Sequence, residues 1–415
     1  MQIIRQTYPN GLKSLSVLSK DTQAVTIMFL VKVGSRYEAV SEQGLAHFLE
    51  HTLFKGTSER PSSKQIGMEI ESLGGSTNAF TSYDYTGYYI KAPAINFKPT
   101  FAILADMFRN SIFAEKELER ERGVIIEEIR MYEDRPPSKV AQSWLSNFFR
   151  ENPLAGDIAG TIESVREIKR EQFLGFMEKH YYAENVLIVV SGNIEQGSIE
   201  EEISKYCLGI PSRGEKLVSQ YQQFEFAEHS GRARNIEIIK EVEQTHVVLG
   251  GLALPRDHSQ RFALQVANAI LGAGFGSRLF QVIRDELGLA YYVYSRISSF
   301  TDVGIFQIGM GVDAKRVDEA IAATKKELTA VVEGQFTNDE FNRAKNYLLG
   351  NIVTELETSE DVASFYGMQE ILEKEQLTID QLREQILAVT LDDVHEVAGQ
   401  IFKEENYYTA KLSRG

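Results

Sequence analysis

Residues 113–129 read FAEKELERERGVIIEEI, and residues 336–352 read FTNDEFNRAKNYLLGNI. Laid together, Leu118 falls on Phe341, Arg120 on Arg343, Ile125 on Leu348 and Ile129 on Ile352. Both stretches carry an apolar stripe at helical spacing, so the chain contains the same long helix twice. The match extends outward. EQFLGFMEKHYYAEN (171–185) lines up with DDVHEVAGQIFKEEN (392–406), and VTIMFLVKV with the helix after it lines up with THVVLGGLAL and RFALQVANAILGAG. Each half then reads strand, strand, helix, helix, strands, a long helix pair, helix and a final strand, with β-branched or alternating runs such as SLSVLS and TGYYIKAPA. Consecutive strands without regular intervening helices predict an α+β fold: two duplicated domains, each a mainly antiparallel sheet with helices packed on one face. The predicted domains are 1–215 and 232–415, joined by a polar, turn-rich stretch over roughly 209–233.

The bulk numbers narrow the function. A chain of 415 residues, 43% hydrophobic and with nine prolines, is globular and too long for one ordinary core. Its net charge of −15 argues against nucleic acid as a partner. The single cysteine, Cys207, excludes an intramolecular disulfide and a thiolate-rich metal site, and reads as an inert core thiol. Any metal must be held by His and carboxylate. The N-terminal MQIIRQTYPNGLKSL lacks the pattern of a signal peptide, and the longest apolar runs are far short of a membrane span. These features predict a soluble, cytoplasmic protein with no membrane partner.

The stretch GLAHFLEHTLFKG (44–56) places His47, Glu50 and His51 within five positions. On a helix these three fall within an arc of roughly 100°, opposite Leu45, Phe48, Leu49, Thr52 and Leu53. Histidines at i and i+4 project in parallel, which suits two nitrogens on one Zn²⁺, while Glu50 is placed to reach a water instead of the metal. The alternative is an ordinary solvated polar face. The repeat supplies a control: the trio corresponds to Gln265, Asn268 and Ala269, so the fold does not need these side chains.

A catalytic zinc needs a third protein ligand, and the acidic helix of residues 115–134 is where to look. Leu118, Ile125, Ile129 and Tyr132 make its apolar stripe; Glu127 points almost opposite, and Glu121 and Glu128 lie on the flank, stacked at i and i+7. In the second copy they become Ala344 and Asn351, so the acidic pair vanishes together with the histidines.

His-x-x-Glu-His followed by Glu128 in RERGVIIEE resembles the pitrilysin-type zinc metallopeptidases, in particular the branch with the mitochondrial processing peptidases and their bacterial relatives. The resemblance covers the whole chain. It implies one zinc per chain, held by His47, His51 and Glu128, with Glu50 as general base and Glu121 orienting a histidine ligand. GGSTNAFTSYDYTGYY resembles the family's substrate-pairing edge strand, which puts Asn78 and Ala79 nearest the scissile bond. SRLFQVIRDELGLAYYVYS resembles the stretch that supplies an arginine and a tyrosine from the other half, here Arg284 and Tyr291. The implied enzyme is an endopeptidase for extended or unfolded, presequence-like peptides, each chain forming half of a clam-shell and pairing as a homodimer. Two other classes compete. Relatives that only read targeting peptides or serve as structural subunits lose the zinc residues, which are intact here; a small-molecule hydrolase would have no use for Arg284 or Tyr291. The glycine cluster GAGFGSRLF (272–280) follows a helix and lacks Gly-Lys-Ser/Thr, so it is discounted as a nucleotide loop. His180 reads as a packed core histidine, and His229, His246, His258 and His395 receive no role.

Overall fold

The computed structural model describes residues 1–214, 221–225 and 232–415; the expected boundary at residue 215, part of the expected linker, and His229 lie outside them. The chain forms two compact units. One contains Met1–Arg130, Gly156–Gln222 and Leu356–Lys374, the other Met131–Ala155, Gln223–Glu355 and Glu375–Gly415.

The first unit is built on a six-stranded sheet of β1 (Gln2–Thr7), β2 (Lys13–Leu18), β3 (Ala24–Val31), β4 (Ser76–Thr81), β5 (Thr86–Pro93) and β6 (Val186–Gly192), in the order β1-β2-β6-β3-β5-β4. Only β2 and β6 run parallel. The second unit is built on β7 (Asn235–Ile239), β8 (Thr245–Ala253), β9 (Ala290–Ser299), β10 (Gly304–Val312) and β11 (Tyr408–Ser413), in the order β7-β11-β8-β10-β9. Here only β7 and β11 run parallel. Without β1 the two orders are the same, so the repeat seen in sequence is a repeat of topology. Each sheet ends on an edge strand, β4 or β9, that has a partner on one side only among the described residues.

The main helical layer lies on one face of each sheet. In β3, Val25, Ile27, Phe29 and Val31 face it, packing in one core with Phe48, Leu49, Phe101, Leu104 and Phe108. Yet β3 is apolar at nearly every position, and a run of that kind is covered on both sides. The second cover comes from the other half of the chain. Helix Ser359–Leu372 packs on β3 and β6 of the first sheet, with Ser359 Oγ 2.9 Å from Thr26 Oγ1. Gly367 permits the approach, since a Cβ there would lie 2.8 Å from Leu30 Cδ1 and 2.9 Å from Val189 Cγ2.

The exchange is reciprocal. Helix Pro136–Phe149 starts with proline in its first turn, where a missing N–H costs nothing, and belongs to the second unit. Its Trp144, the only tryptophan, lies against Gly250 of β8, and Trp144 Nε1 donates to Tyr408 O at 2.9 Å. The compact units are therefore not the contiguous spans 1–215 and 232–415. Each sheet has a second face that is covered by a helix from the other half of the chain. Cys207 is free and buried, and burial pushes its thiol up to about 12. No helix among the described residues is long and apolar enough to cross a membrane.

Candidate metal centre

Helix Leu45–Thr52 begins at Gly44, whose φ of 90° favours glycine and where a Cβ would meet Ala159 O at 2.6 Å. With glycine at the cap, no local side chain covers the first N–H groups. Glu38 does so from outside the helix, accepting from Gly44 N at 2.9 Å and Ala46 N at 2.7 Å. Leu45, Phe48 and Leu49 then enter the core, and this phase turns His47, Glu50 and His51 the other way. Helix Glu115–Glu133 is fixed similarly by buried Leu118, Ile125 and Ile129.

The two helices bring His47, His51 and Glu128 together, with one ligand atom of each lying within 4.8 Å of the others. Among the described residues this is the one group of three or more metal-competent side chains. Glu128 Oε2 is 3.8 Å from His47 Nε2 and 3.4 Å from His51 Nε2. A tetrahedron with zinc-to-ligand bonds of about 2.0–2.1 Å has edges of about 3.3 Å, so these separations suit one such ion. Glu121 is buried behind the trio, with Oε2 3.4 Å from His51 Nδ1 and Oε1 2.8 Å from Lys55 Nζ. Glu127 is paired with Arg130 and its side chain is 70% exposed, so it takes no part.

Glu50 stands apart from the three. Its Oε2 accepts from Thr81 Oγ1 at 2.6 Å, tying the helix to edge strand β4. The equivalent position of the second unit repeats the tie, with Ser295 Oγ of edge strand β9 donating to Asn268 Oδ1 at 2.7 Å. The connection belongs to the fold, and what is special to the first unit is the carboxylate.

Electrostatics differ across the cluster. Burial, and then neighbouring His51, push His47 down to about 4 against the pull of Glu128, leaving it neutral at pH 7 as a ligand must be. Burial also acts to lower His51, but the bonds and charges of Glu128, Glu50 and Glu121 outweigh it and hold His51 above its ordinary value. The hydrogen bond with His51 holds Glu128 below the usual carboxylate range. Burial raises Glu50, opposed by the Thr81 bond. Two imidazoles and one carboxylate in a partly buried cluster, one imidazole backed by a second carboxylate, are a donor set that fits zinc.

Asn78 and Ala79 lie on β4, whose outer edge pairs with no other strand among the described residues; Asn78 is exposed, and its Oδ1 accepts from Ala79 N at 2.9 Å. In the second unit the π-helical segment Phe280–Glu286 carries Arg284, whose guanidinium lies 5.7 Å from the ring of Tyr291 at the start of β9. Tyr291 is 73% exposed. Three further residues shape the centre and went unnoticed in sequence: Glu38, Lys55 and Thr81. Lys55, four positions past His51, carried a helical signal; the other two meet the helix only through tertiary structure.

Residues 15–162 match the family described as Insulinase (Peptidase family M16), and residues 167–348 match its Peptidase M16 inactive domain. The chain belongs to peptidase family M16. An uncharacterised zinc protease of Streptomyces coelicolor is 33% identical, over 96% of this chain and 86% of its own length. The uncharacterised zinc protease YmxG of Bacillus subtilis is 32% identical, over 99% of this chain and 98% of its own length. The M16 fold recurs in a protease from Helicobacter pylori, with TM-score 0.90, 24% identity and 99% of both chains covered. It recurs also in a peptidase M16 inactive domain from Pseudomonas fluorescens, with TM-score 0.92, 19% identity, and 100% of this chain and 99% of that one covered. At those identities the structures speak for the fold alone. The M16 inactive-domain match includes Gln265, Asn268 and Ala269, the positions where the second half lacks the histidines and glutamate.

Proposed function

We propose that this M16 protein is a zinc metalloendopeptidase of the processing-peptidase-like branch, hydrolysing extended or unfolded peptides. One observation carries the reading: two imidazole nitrogens and a carboxylate oxygen converge beside a second carboxylate, Glu50, that is anchored to a free sheet edge. His47, His51 and Glu128 would hold the zinc, and the relatives' names as zinc proteases support that choice. When bound, zinc would polarise the peptide carbonyl and make a nearby water more acidic.

The chain's own groups do the rest. Glu50 takes a proton from the attacking water and returns it to the leaving amine; its raised pKa, caused by burial, brings it nearer the range where a carboxylate can do both. Thr81 holds Glu50 beside β4. The open edge of β4 offers backbone N–H and C=O groups to an extended chain, with Asn78 and Ala79 along it, so a substrate joins as an added strand. Arg284 and Tyr291 are proposed as further substrate contacts from the second half, and a homodimer in the cytoplasm as the working form.

Glu50→Gln decides between this reading and a purely structural metal site. The variant is expected to keep one zinc per chain while turnover of an unstructured peptide falls by about 10²–10⁴-fold. Near wild-type turnover in that variant would remove Glu50 as the base. In the wild type, chelation is expected to abolish turnover and added zinc to restore it.

A further inference from the structure

Glu121 divides its two oxygens between different partners. Oε1 lies 2.8 Å from Lys55 Nζ and Oε2 3.4 Å from His51 Nδ1. The other nitrogen of His51, Nε2, faces Glu128 Oε2 at 3.4 Å. Lys55, Glu121, His51 and Glu128 thus form one continuous line of contacts. Lys55 sits just beyond the end of helix Leu45–Thr52, its N–H bonded to Thr52 O at 3.0 Å, and its ammonium reaches the neighbouring helix beside the histidine.

We propose that Lys55 is a positioning residue for the metal centre: by engaging Oε1 of Glu121 it aims Oε2 at Nδ1 of His51, fixing the imidazole tautomer that leaves Nε2 free for the metal. The inference rests on the zinc reading above and extends it to a residue that touches neither metal nor substrate. The repeat supports it independently. The offset that pairs His51 with Ala269 pairs Lys55 with Ala273, and Glu121 becomes Ala344. Helices Arg261–Gly272 and Asn338–Thr354 of the second unit pack together, with Ala273 just past the end of the first and Ala344 within the second. The fold has no need of this ion pair, which is present where the ligands are present and absent where they are absent.

A purely electrostatic role gives the opposite sign. A cation near a divalent metal opposes its binding, so removing the lysine would tighten zinc. Positioning predicts that removal loosens it, because partners behind a ligating histidine tune affinity by roughly 10–100-fold. The test is the zinc dissociation constant, measured by competition with a chromogenic chelator, for wild type, Lys55→Met, Lys55→Arg, Glu121→Gln and the double variant Lys55→Met/Glu121→Gln. Thermal unfolding of the zinc-free proteins reports on the fold, with Lys55→Gln taking the place of Lys55→Met if the latter is impaired. The expected result is about tenfold weaker zinc in Lys55→Met, recovery in Lys55→Arg, and a double variant no weaker than Glu121→Gln alone. Unchanged or tighter zinc in Lys55→Met, or effects that add fully in the double variant, would overturn the inference and leave the zinc reading intact. A wild-type protein that binds no zinc would overturn both.

Discussion

Glu127 and Glu128 are neighbours in sequence and turn to different surroundings in space. The stripe of Leu118, Ile125 and Ile129 fixes the rotation of their helix, which sends Glu127 to Arg130 and solvent and Glu128 to the histidines. Glu128→Gln is therefore expected to weaken zinc by more than about tenfold, whereas Glu127→Gln leaves it unchanged. Equal losses in a chelator competition would contradict this helix phase. His180 shows the opposite use of a histidine. It is buried, with Phe176 4.6 Å and Tyr37 6.2 Å from its ring, and burial, then Lys179 and Arg213, lower it to about 3. Unfolded, it titrates near 6.5, so between those values the unfolded chain takes up a proton that the folded one refuses. This contribution is complete above about pH 6.5 and is lost as pH falls toward 3. His180→Phe is expected to flatten the decline of the urea midpoint between pH 7 and pH 4; a decline as steep as wild type would show that other groups cause it.

Among the elements, helix Ser359–Leu372 depends on a single small residue for its approach to the first sheet. Gly367 meets Leu30 and Val189, and Val189 is β-branched in a central strand with little room to yield. Gly367→Val is expected to cost about 1–3 kcal/mol in urea unfolding, the usual penalty for overpacking. Gly350 provides the contrast, since it lies within helix Asn338–Thr354 and a Cβ there meets nothing within 4 Å. Gly350→Ala is expected to stabilise by about 0.5–1 kcal/mol through helix propensity. Stabilisation at both sites would mean that Gly367 is not a packing requirement.

For the whole molecule, the exchange of helices matters more than the repeat. Residues 1–215 contain every member of the candidate metal centre but lack helix Ser359–Leu372, which leaves Thr26, Met28, Leu30 and Val189 on an uncovered sheet face. Expressed alone, this fragment is expected to bind a hydrophobic dye and to unfold without a cooperative transition. Cooperative unfolding and full zinc content in the isolated fragment would show that the exchanged helix is dispensable.

Local periodicity was enough to read the duplication, the long helix at 115–133 and 338–354, the shared face of His47, Glu50 and His51, and the separation of Glu127 from Glu128. Each of these depends on residues within a few turns of one another, or on comparing one half with the other. Tertiary structure alone decided the rest. Thr81 reaches Glu50 from a strand, Glu38 caps the helix from outside it, and Lys55, just past the end of one helix, meets Glu121 of another. The exchanged helices lie furthest from local reading. The nearly continuous apolar run of β3 announces that a second cover is needed, but which helix supplies it is settled only when the whole chain packs, because any amphipathic helix of suitable length could satisfy the same face.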